Sequence, residues 1–237
     1  MGTKFNALSG NFDLVNDLGA NLTDIDGLTG NKGDIIVHDG TNWVDLAVGT
    51  NGQILKAASG ETEGVDWVAL PDSVLNFPFA ALRANSTTNF APITYVDLGT
   101  VEDHMAAYDG AQDEDRQGTF VCPSDIDTGG TVTFEIYGKR ASGTSAANVV
   151  FDFDHRAVAD SEAGDGSYTT ESSGALAIDT TGGDLDRLTW TETVTNLAWA
   201  ANDLIIFKVG RQGADALDTL NSVDYYAWHF RILIPRV

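Results

Sequence analysis

The chain has 237 residues, 43% of them hydrophobic, and sets 35 Asp and Glu against 13 Lys and Arg for a formal net charge of -22. That length supports one sizeable core or two smaller ones. The charge argues against nucleic acid and anionic membranes as partners. The longest apolar runs, Leu204 to Phe207 and Ile232 to Ile234, are far shorter than the roughly 20 residues a membrane-spanning helix needs, so no membrane insertion is expected. One cysteine, Cys122, leaves no intramolecular disulfide and no multi-cysteine zinc site. The opening Met1-Gly2-Thr3-Lys4-Phe5-Asn6 lacks a basic-then-apolar leader and has Asn6 where acylation of Gly2 wants Ser or Thr, which predicts an origin in the cytoplasm. The acidity suits either a salty medium or ordinary protection of strand edges against aggregation.

Residues 1–32 are polar. Leu8, Val15 and Leu22 fall seven apart with Leu18 and Ile25 between them, drawing a short a/d seam that predicts a partly helical segment. Asn11 interrupts the seam, and Gly19 costs about 1 kcal/mol relative to Ala in an exposed helix. A helix of this length is marginal alone. The segment reads either as a small anchoring and oligomerising piece or as a flexible tail.

Residues 33–70 contain an internal echo. Gly33-Asp34-Ile35-Ile36-Val37 leads through His38-Asp39-Gly40-Thr41-Asn42 to Trp43-Val44, and Gly52-Gln53-Ile54-Leu55-Lys56 leads through a Gly/Ser-rich stretch to Gly64-Val65-Asp66-Trp67-Val68. Each half reads as strand, turn, strand, with Asp39-Gly40 and Asn51-Gly52 tolerating positive φ. Two-stranded ribbons are marginal in isolation, so Trp43 and Trp67 call for burial by something else, such as copies of the same segment around a symmetry axis.

The ordered set Lys32-Gly33-Asp34-Ile35-Ile36-Val37, Gly40-Thr41-Asn42-Trp43, Leu46-Ala47-Val48-Gly49-Thr50-Asn51-Gly52-Gln53-Ile54-Leu55 and Gly64-Val65-Asp66-Trp67 resembles the short shaft-associated repeat of tail fibres and related appendages of tailed bacteriophages. In that family a Gly-Asp-apolar strand, a Val-Gly-Thr-Asn-Gly-Gln turn and a closing Gly-x-x-Trp recur in this order. The resemblance implies a trimeric, closely packed fibre segment without catalytic function. Because one such unit is present where long fibres carry many, it points to a short fibre or a capsid-attached appendage.

Residues 71–92 hold Pro71, Pro78 and Pro92 among Asn, Ser and Thr, which argues against regular structure and reads as a connector. From Ile93 to Val237, strand signals alternate with turn clusters at the spacing of a sandwich. Val132, Phe134 and Ile136 share one face; Val149, Phe151 and Phe153 share another, opposite Asp152 and Asp154. Such period-two patterning belongs to half-buried antiparallel strands. Leu204 to Val209 reads as a central strand. The last strand sets Tyr226, Trp228, Phe230, Ile232 and Ile234 against Tyr225, Ala227, His229 and Arg231, and the first set is expected in the core. The run from Asn202 to Val209, through Arg211 and the turn Ala214-Asp215-Ala216-Leu217-Asp218-Thr219-Leu220 into an aromatic strand, is similar to the compact sandwich or jelly-roll heads of phage virion proteins.

Four histidines bear on catalysis. His38 lies in a turn and His229 alternates outward beside Arg231. His104 follows Glu102 and Asp103, and His155 follows Asp152 and Asp154, so either imitates part of an acid/base or metal site. No G-x-S-x-G elbow, H-E-x-x-H helix or phosphate-cradling loop accompanies them. Three carboxylate groups, Asp109 with Asp113, Glu114 and Asp115, then Asp152 with Asp154, then Asp160 with Glu162 and Asp165, offer oxygens of the kind calcium takes; none fits the D-x-[DN]-x-[DN]-G loop, and they read as solvated loop acidity. Tyr168 and Tyr225 are aromatics that stack on sugars if exposed and join the core if not. No catalytic, cofactor-binding or metal residue is therefore assigned, and no cofactor is expected.

The expected architecture is all-β: an antiparallel, jelly-roll-like β-sandwich over 93–237, preceded by the connector 71–92, hairpin repeats over 33–70 and a small partly helical segment over 1–32. Two functions remain open. One is a non-enzymatic structural and attachment subunit of a tailed-phage virion, assembled in the host cytoplasm as a trimer, partnered by capsid, tail or baseplate proteins and by a host cell-surface glycan. The other is a freestanding carbohydrate-binding sandwich.

Overall fold

A computed structural model of the chain describes residues 2–6, 11–15, 28–84, 89–98, 102–163, 165–180 and 184–237. The chain divides into two compact units, Met1–Leu70 and Pro71–Val237. No described helix is long and apolar enough to cross a membrane.

The first unit is built of antiparallel hairpins. Strand β1 (Gly2–Asn6) pairs with β2 (Asn11–Val15), β3 (Ile35–His38) with β4 (Trp43–Leu46), and β5 (Gln53–Ala57) with β6 (Val65–Ala69). Asn11 and Val15, expected on a helical seam, stand instead in β2 opposite Asn6 and Gly2. Phe12 and Leu14 alternate with Asn11 and Asp13, and this two-residue period competes with a seven-residue one that lacks the length to nucleate a helix. Leu8, Leu18, Gly19, Leu22 and Ile25 lie outside the described residues.

The second and third hairpins start with one shared device. Asn31 N donates to Asp34 Oδ2 (2.5 Å) and Asp34 N to Asn31 O (3.1 Å), with Gly33 at φ +97°. At the equivalent place, Thr50 N donates to Gln53 Oε1 (2.8 Å) and Gln53 N to Thr50 O (3.2 Å), with Gly52 at φ +84°. Any residue with a Cβ is strained at those φ values. The hairpins are then tied together. Val48 N donates to Asp34 Oδ1 (2.9 Å), and Trp67 Nε1 donates to Ala47 O (2.8 Å). Trp67 also lies on Gly49, where a Cβ would come within 2.7 Å of the indole. The amides of Asn31 and Val48 hold the Asp34 carboxyl below its ordinary value. The side chains of Asp34, Gln53 and Trp67 are thus engaged by the repeat's own backbone.

The second unit is a two-layer antiparallel sandwich. Its strands are β7 (Ser73–Pro78), β8 (Ile93–Asp97), β9 (Glu102–Tyr108), β10 (Asp113–Val121), β11 (Thr131–Arg140), β12 (Ala147–Val149), β13 (Phe151–Val158), β14 (Thr169–Ser172), β15 (Leu176–Ile178), β16 (Asp186–Thr193), β17 (Leu204–Gln212) and β18 (Tyr225–Ile234). One sheet runs β10-β17-β13-β14 and the other β16-β11-β18-β9-β8, while β12 and β15 form a small ribbon. From β9 onward the chain passes repeatedly from one sheet to the other, the crossing pattern of a jelly roll. Val132, Phe134 and Ile136 face Phe151, Phe153 and Phe207, all buried; the Phe134 and Phe153 rings stand 4.6 Å apart. Each such side chain contributes on the order of 2 kcal/mol by leaving water.

The stretch expected to be a connector belongs to this sandwich. Strand β7 pairs with β18 from Pro78↔His229 to Ser73↔Ile234, and Phe79, in the 3-10 turn that follows, is fully buried against Tyr108 and Phe230. Prolines bracket the strand without interrupting it: Pro71 precedes it and Pro78 ends it, so no mid-strand amide is missing.

The faces of β18 also differ from strict alternation. Tyr225, Ala227, Phe230, Ile232 and Ile234 are fully buried, whereas Tyr226 and Trp228 are half-buried. The register against β11 slips between Tyr137↔His229 and Gly138↔Ala227. This β-bulge sends two consecutive residues, Trp228 and His229, to the outer side.

Arg211 is the largest fully buried side chain among the described residues. Its Nε and Nη2 each donate to Asp218 at 2.8 Å, and its remaining donors reach the carbonyls of Val223 (2.8 Å) and Leu220 (3.0 Å). Asp218, from the turn that follows, is fully buried as its partner. A buried ion pair is tolerable only when the leftover donors are met in this way.

Candidate functional site

The sequence candidates do not come together in one site. His38 sits at a hairpin turn, its Nδ1 accepting Gly40 N (3.0 Å). His104 is exposed, edge-on to Tyr95, while Asp103 Oδ2 accepts Trp228 Nε1 (2.6 Å). His155 points into the core, away from Asp152 and Asp154 on the outer side of β13. Its Nδ1 accepts Trp199 Nε1 (3.2 Å), its Nε2 stands 3.9 Å from Glu171, and burial pushes its pKa down to about 4. No acid/base constellation forms around either histidine. Tyr225 is fully buried, which pushes its phenol well above the ordinary value; Tyr168 is 36% exposed.

Two carboxylate groups distant in sequence meet on the outer face of the smaller sheet. Asp113 and Asp115 of β10 and Asp152 and Asp154 of β13 flank Lys208 of β17, around a cavity of about 160 Å³. Lys208 Nζ is 3.8 Å from both Asp115 and Asp154 and 4.7 Å from the centre of the Tyr168 ring. Burial raises the carboxyls of Asp152 and Glu114. Asp109 instead caps its own turn, accepting Ala111 N (2.7 Å). In the third group, Glu162 accepts Ala159 N (3.3 Å). Among the described residues no three His, Cys, Asp or Glu side chains are arranged to hold a metal ion.

A different site lies on the outer face of the larger sheet, at the β18 bulge. A cavity of about 300 Å³ is lined by Asn76, Tyr137, Trp228, His229 and Arg231. Each of these is positioned by a strand: Asn76 by β7, Tyr137 by β11, the rest by β18. The rings are fixed from behind. Trp228 is anchored through its bond to Asp103 and meets the His229 ring edge-on at 5.1 Å. Tyr137 Oη accepts Arg231 Nη1 (2.8 Å) and donates to Glu135 Oε2 (3.1 Å). Glu135, only 5% exposed, also receives Arg231 Nη1 (2.8 Å) and lies 3.4 Å from Arg187 Nε. The result is a preorganised aromatic wall with an amide, an imidazole and a guanidinium at its rim, which suits a ring with an apolar face and hydroxyl edges. Strand alternation concealed this group. The available signal was Gly138 inside β11, where a Cβ would come within 2.5 Å of Tyr225 and the Tyr226 carbonyl; a glycine within a strand marks a bulge or close approach.

No protein-family model and no curated protein matches the chain. Among solved structures it is similar to the CBM22-1 xylan-binding domain from Paenibacillus barcinonensis Xyn10C, at 16% identity over 72% of this chain and 99% of that one, with TM-score 0.33. It is similar also to the xylan-binding module CBM15, at 14% identity over 70% and 98%, TM-score 0.36. Infectious bursal disease virus Gx strain matches at 8% identity over 85% of this chain and 42% of that chain, TM-score 0.33.

Proposed function

We propose that the sandwich Pro71–Val237 is a non-catalytic glycan-binding module. The observation that carries this reading is the groove at the β18 bulge, where Trp228 and Tyr137 present ring surface locked by Asp103, Glu135 and Arg231. Stacking on a prefixed ring costs little ordering entropy, and Asn76 and His229 supply polar contacts to hydroxyls. The carboxylates beneath the groove are both engaged, Glu135 by two guanidiniums and Asp103 by the Trp228 indole, which suits positioning roles rather than proton transfer. Immobilised-glycan binding tests it: Trp228→Ala should abolish capture while leaving the thermal transition in place. Capture unchanged by that substitution would move the site elsewhere.

A second observation favours the wider role of an attachment appendage on a tailed-phage particle. The latched hairpins leave Ile36, Val48, Ile54 and Leu55 between 41% and 53% exposed, apolar surface that a hairpin ribbon has no core to absorb. In this reading the first unit anchors and trimerises the chain and the sandwich is its receptor-binding head. Light scattering of purified protein should give three times the 25.2 kDa chain mass; a monodisperse monomer at micromolar concentration would remove the appendage reading and leave the glycan module.

A further inference from the structure

Resting on the glycan-binding reading, we infer that the groove takes an anionic glycan, with the carboxylate or sulfate of the sugar placed at Arg231. The protein carries 35 acidic against 13 basic residues, yet neither the groove nor the cavity that adjoins it has a carboxylate in its lining. That second cavity, also about 300 Å³, shares Asn76 and continues past Pro78 to Arg83, Gln117 and Thr119. The contrast with the smaller sheet, where five carboxylates surround Lys208, is one of sign as well as shape.

The charges behind the groove leave room for an anion. Arg231 and Arg187 both engage Glu135, so with Asp103 counted the four charged groups sum to zero and the groove presents no net negative charge to an anion. Asp103 stands behind the Trp228 indole with its oxygens taken by Trp228 Nε1 (2.6 Å) and His104 N (2.7 Å). Arg231 engages Tyr137 and Glu135 through Nη1, and its side chain stays 29% exposed where it lines the groove. A guanidinium makes the shorter, charge-assisted bond to an oxyanion in preference to a hydroxyl. The acidic surface elsewhere does not forbid this, since charges beyond about 10 Å are largely screened at 0.1 M salt.

The test applies the full chain to an array carrying carboxylated, sulfated and neutral glycans, then titrates each bound glycan against its carboxyl-reduced or desulfated counterpart. Binding should favour the anionic arms, weaken at least about tenfold on neutralising the sugar, and weaken as salt rises. Arg231→Gln should match the effect of neutralising the sugar. Arg83→Gln, at an exposed side chain outside the Glu135 network, should weaken binding of longer anionic chains about two- to fivefold without touching the fold. Trp228→Ala separates the two levels of the argument. Binding confined to neutral glycans but lost in that variant overturns the anionic inference and leaves the glycan site. No binding in any arm, or binding that the variant leaves intact, overturns both.

Discussion

The hairpin unit and the sandwich are specified by opposite means. Over residues 28–70 the deciding contacts are polar and short in sequence: Asp34 and Gln53 each cap an amide three residues back, and Trp67 reaches a carbonyl in the adjoining hairpin. In the sandwich they are apolar and long in sequence, as where Phe79, Tyr108, Phe134, Phe153 and Phe230 converge from five strands and turns. Local chemistry leaves a motif that can be read by eye; a converging core leaves only periodicity.

The largest effect expected from that difference concerns where the sandwich begins. A fragment Pro71–Val237 should unfold cooperatively on its own, whereas Ile93–Val237 lacks β7, Phe79 and the carbonyls of Leu82 and Ala91 that receive the buried Arg116 (2.8 Å each). Loss of a buried Phe alone costs about 3–5 kcal/mol, so the shorter fragment should show no cooperative transition by circular dichroism. Cooperative melting of that fragment would return residues 71–92 to the status of a linker.

Next in size is the buried pair. Asp218→Ala strands Arg211 in the core and should cost about 3–5 kcal/mol in urea denaturation of Pro71–Val237, while the double change Arg211→Met, Asp218→Leu should recover most of it. A single-variant loss below about 1 kcal/mol would mean that water reaches the guanidinium.

A smaller effect should come from His155. Its folded pKa near 4 lies below the ordinary 6.5, so in that interval the unfolded chain binds the additional proton and stability falls as pH drops. The contribution is about 2 kcal/mol between pH 7.5 and 5. Glu171 and Asp152, raised by burial, act oppositely: the folded state keeps their protons longer, so their stabilising contribution is lost as pH rises through their folded values. His155→Gln should therefore flatten the acid-side loss, and an unchanged pH profile would place the histidine in contact with solvent.

The smallest is local. Gln53→Ala removes one capping bond, about 1 kcal/mol, and should speed hydrogen exchange at Thr50 without moving the melting temperature of the sandwich. A matching shift in the sandwich would mean that the two units melt as one.

The same contrast explains what could be read in advance. Val132, Phe134 and Ile136, or Phe151 and Phe153 against Asp152 and Asp154, declare their faces by alternation, and the hairpins announce themselves by Gly40 and Gly52. Strand β7 was hidden by prolines whose harmless positions depend on where pairing stops. Strict alternation puts Tyr225 and Trp228 on the wrong sides because a bulge adds one residue to one strand and leaves hydrophobicity unchanged. The meeting of Asp115 with Asp154 across Lys208, and of Asn76 with Tyr137 and Arg231, depends on strand order, which no single segment encodes.

The bulge has an evolutionary reading. Taking out either Trp228 or His229 would restore plain alternation in β18, with Tyr225, Ala227, Phe230, Ile232 and Ile234 all still facing inward. On the proposed glycan-binding reading, one inserted residue, accommodated by Gly138 on the neighbouring strand, would raise a recognition surface on this sheet face. It would do so without a new loop and with the same five side chains facing inward, so under that reading recognition could be gained, varied or lost while selection on folding stays nearly untouched.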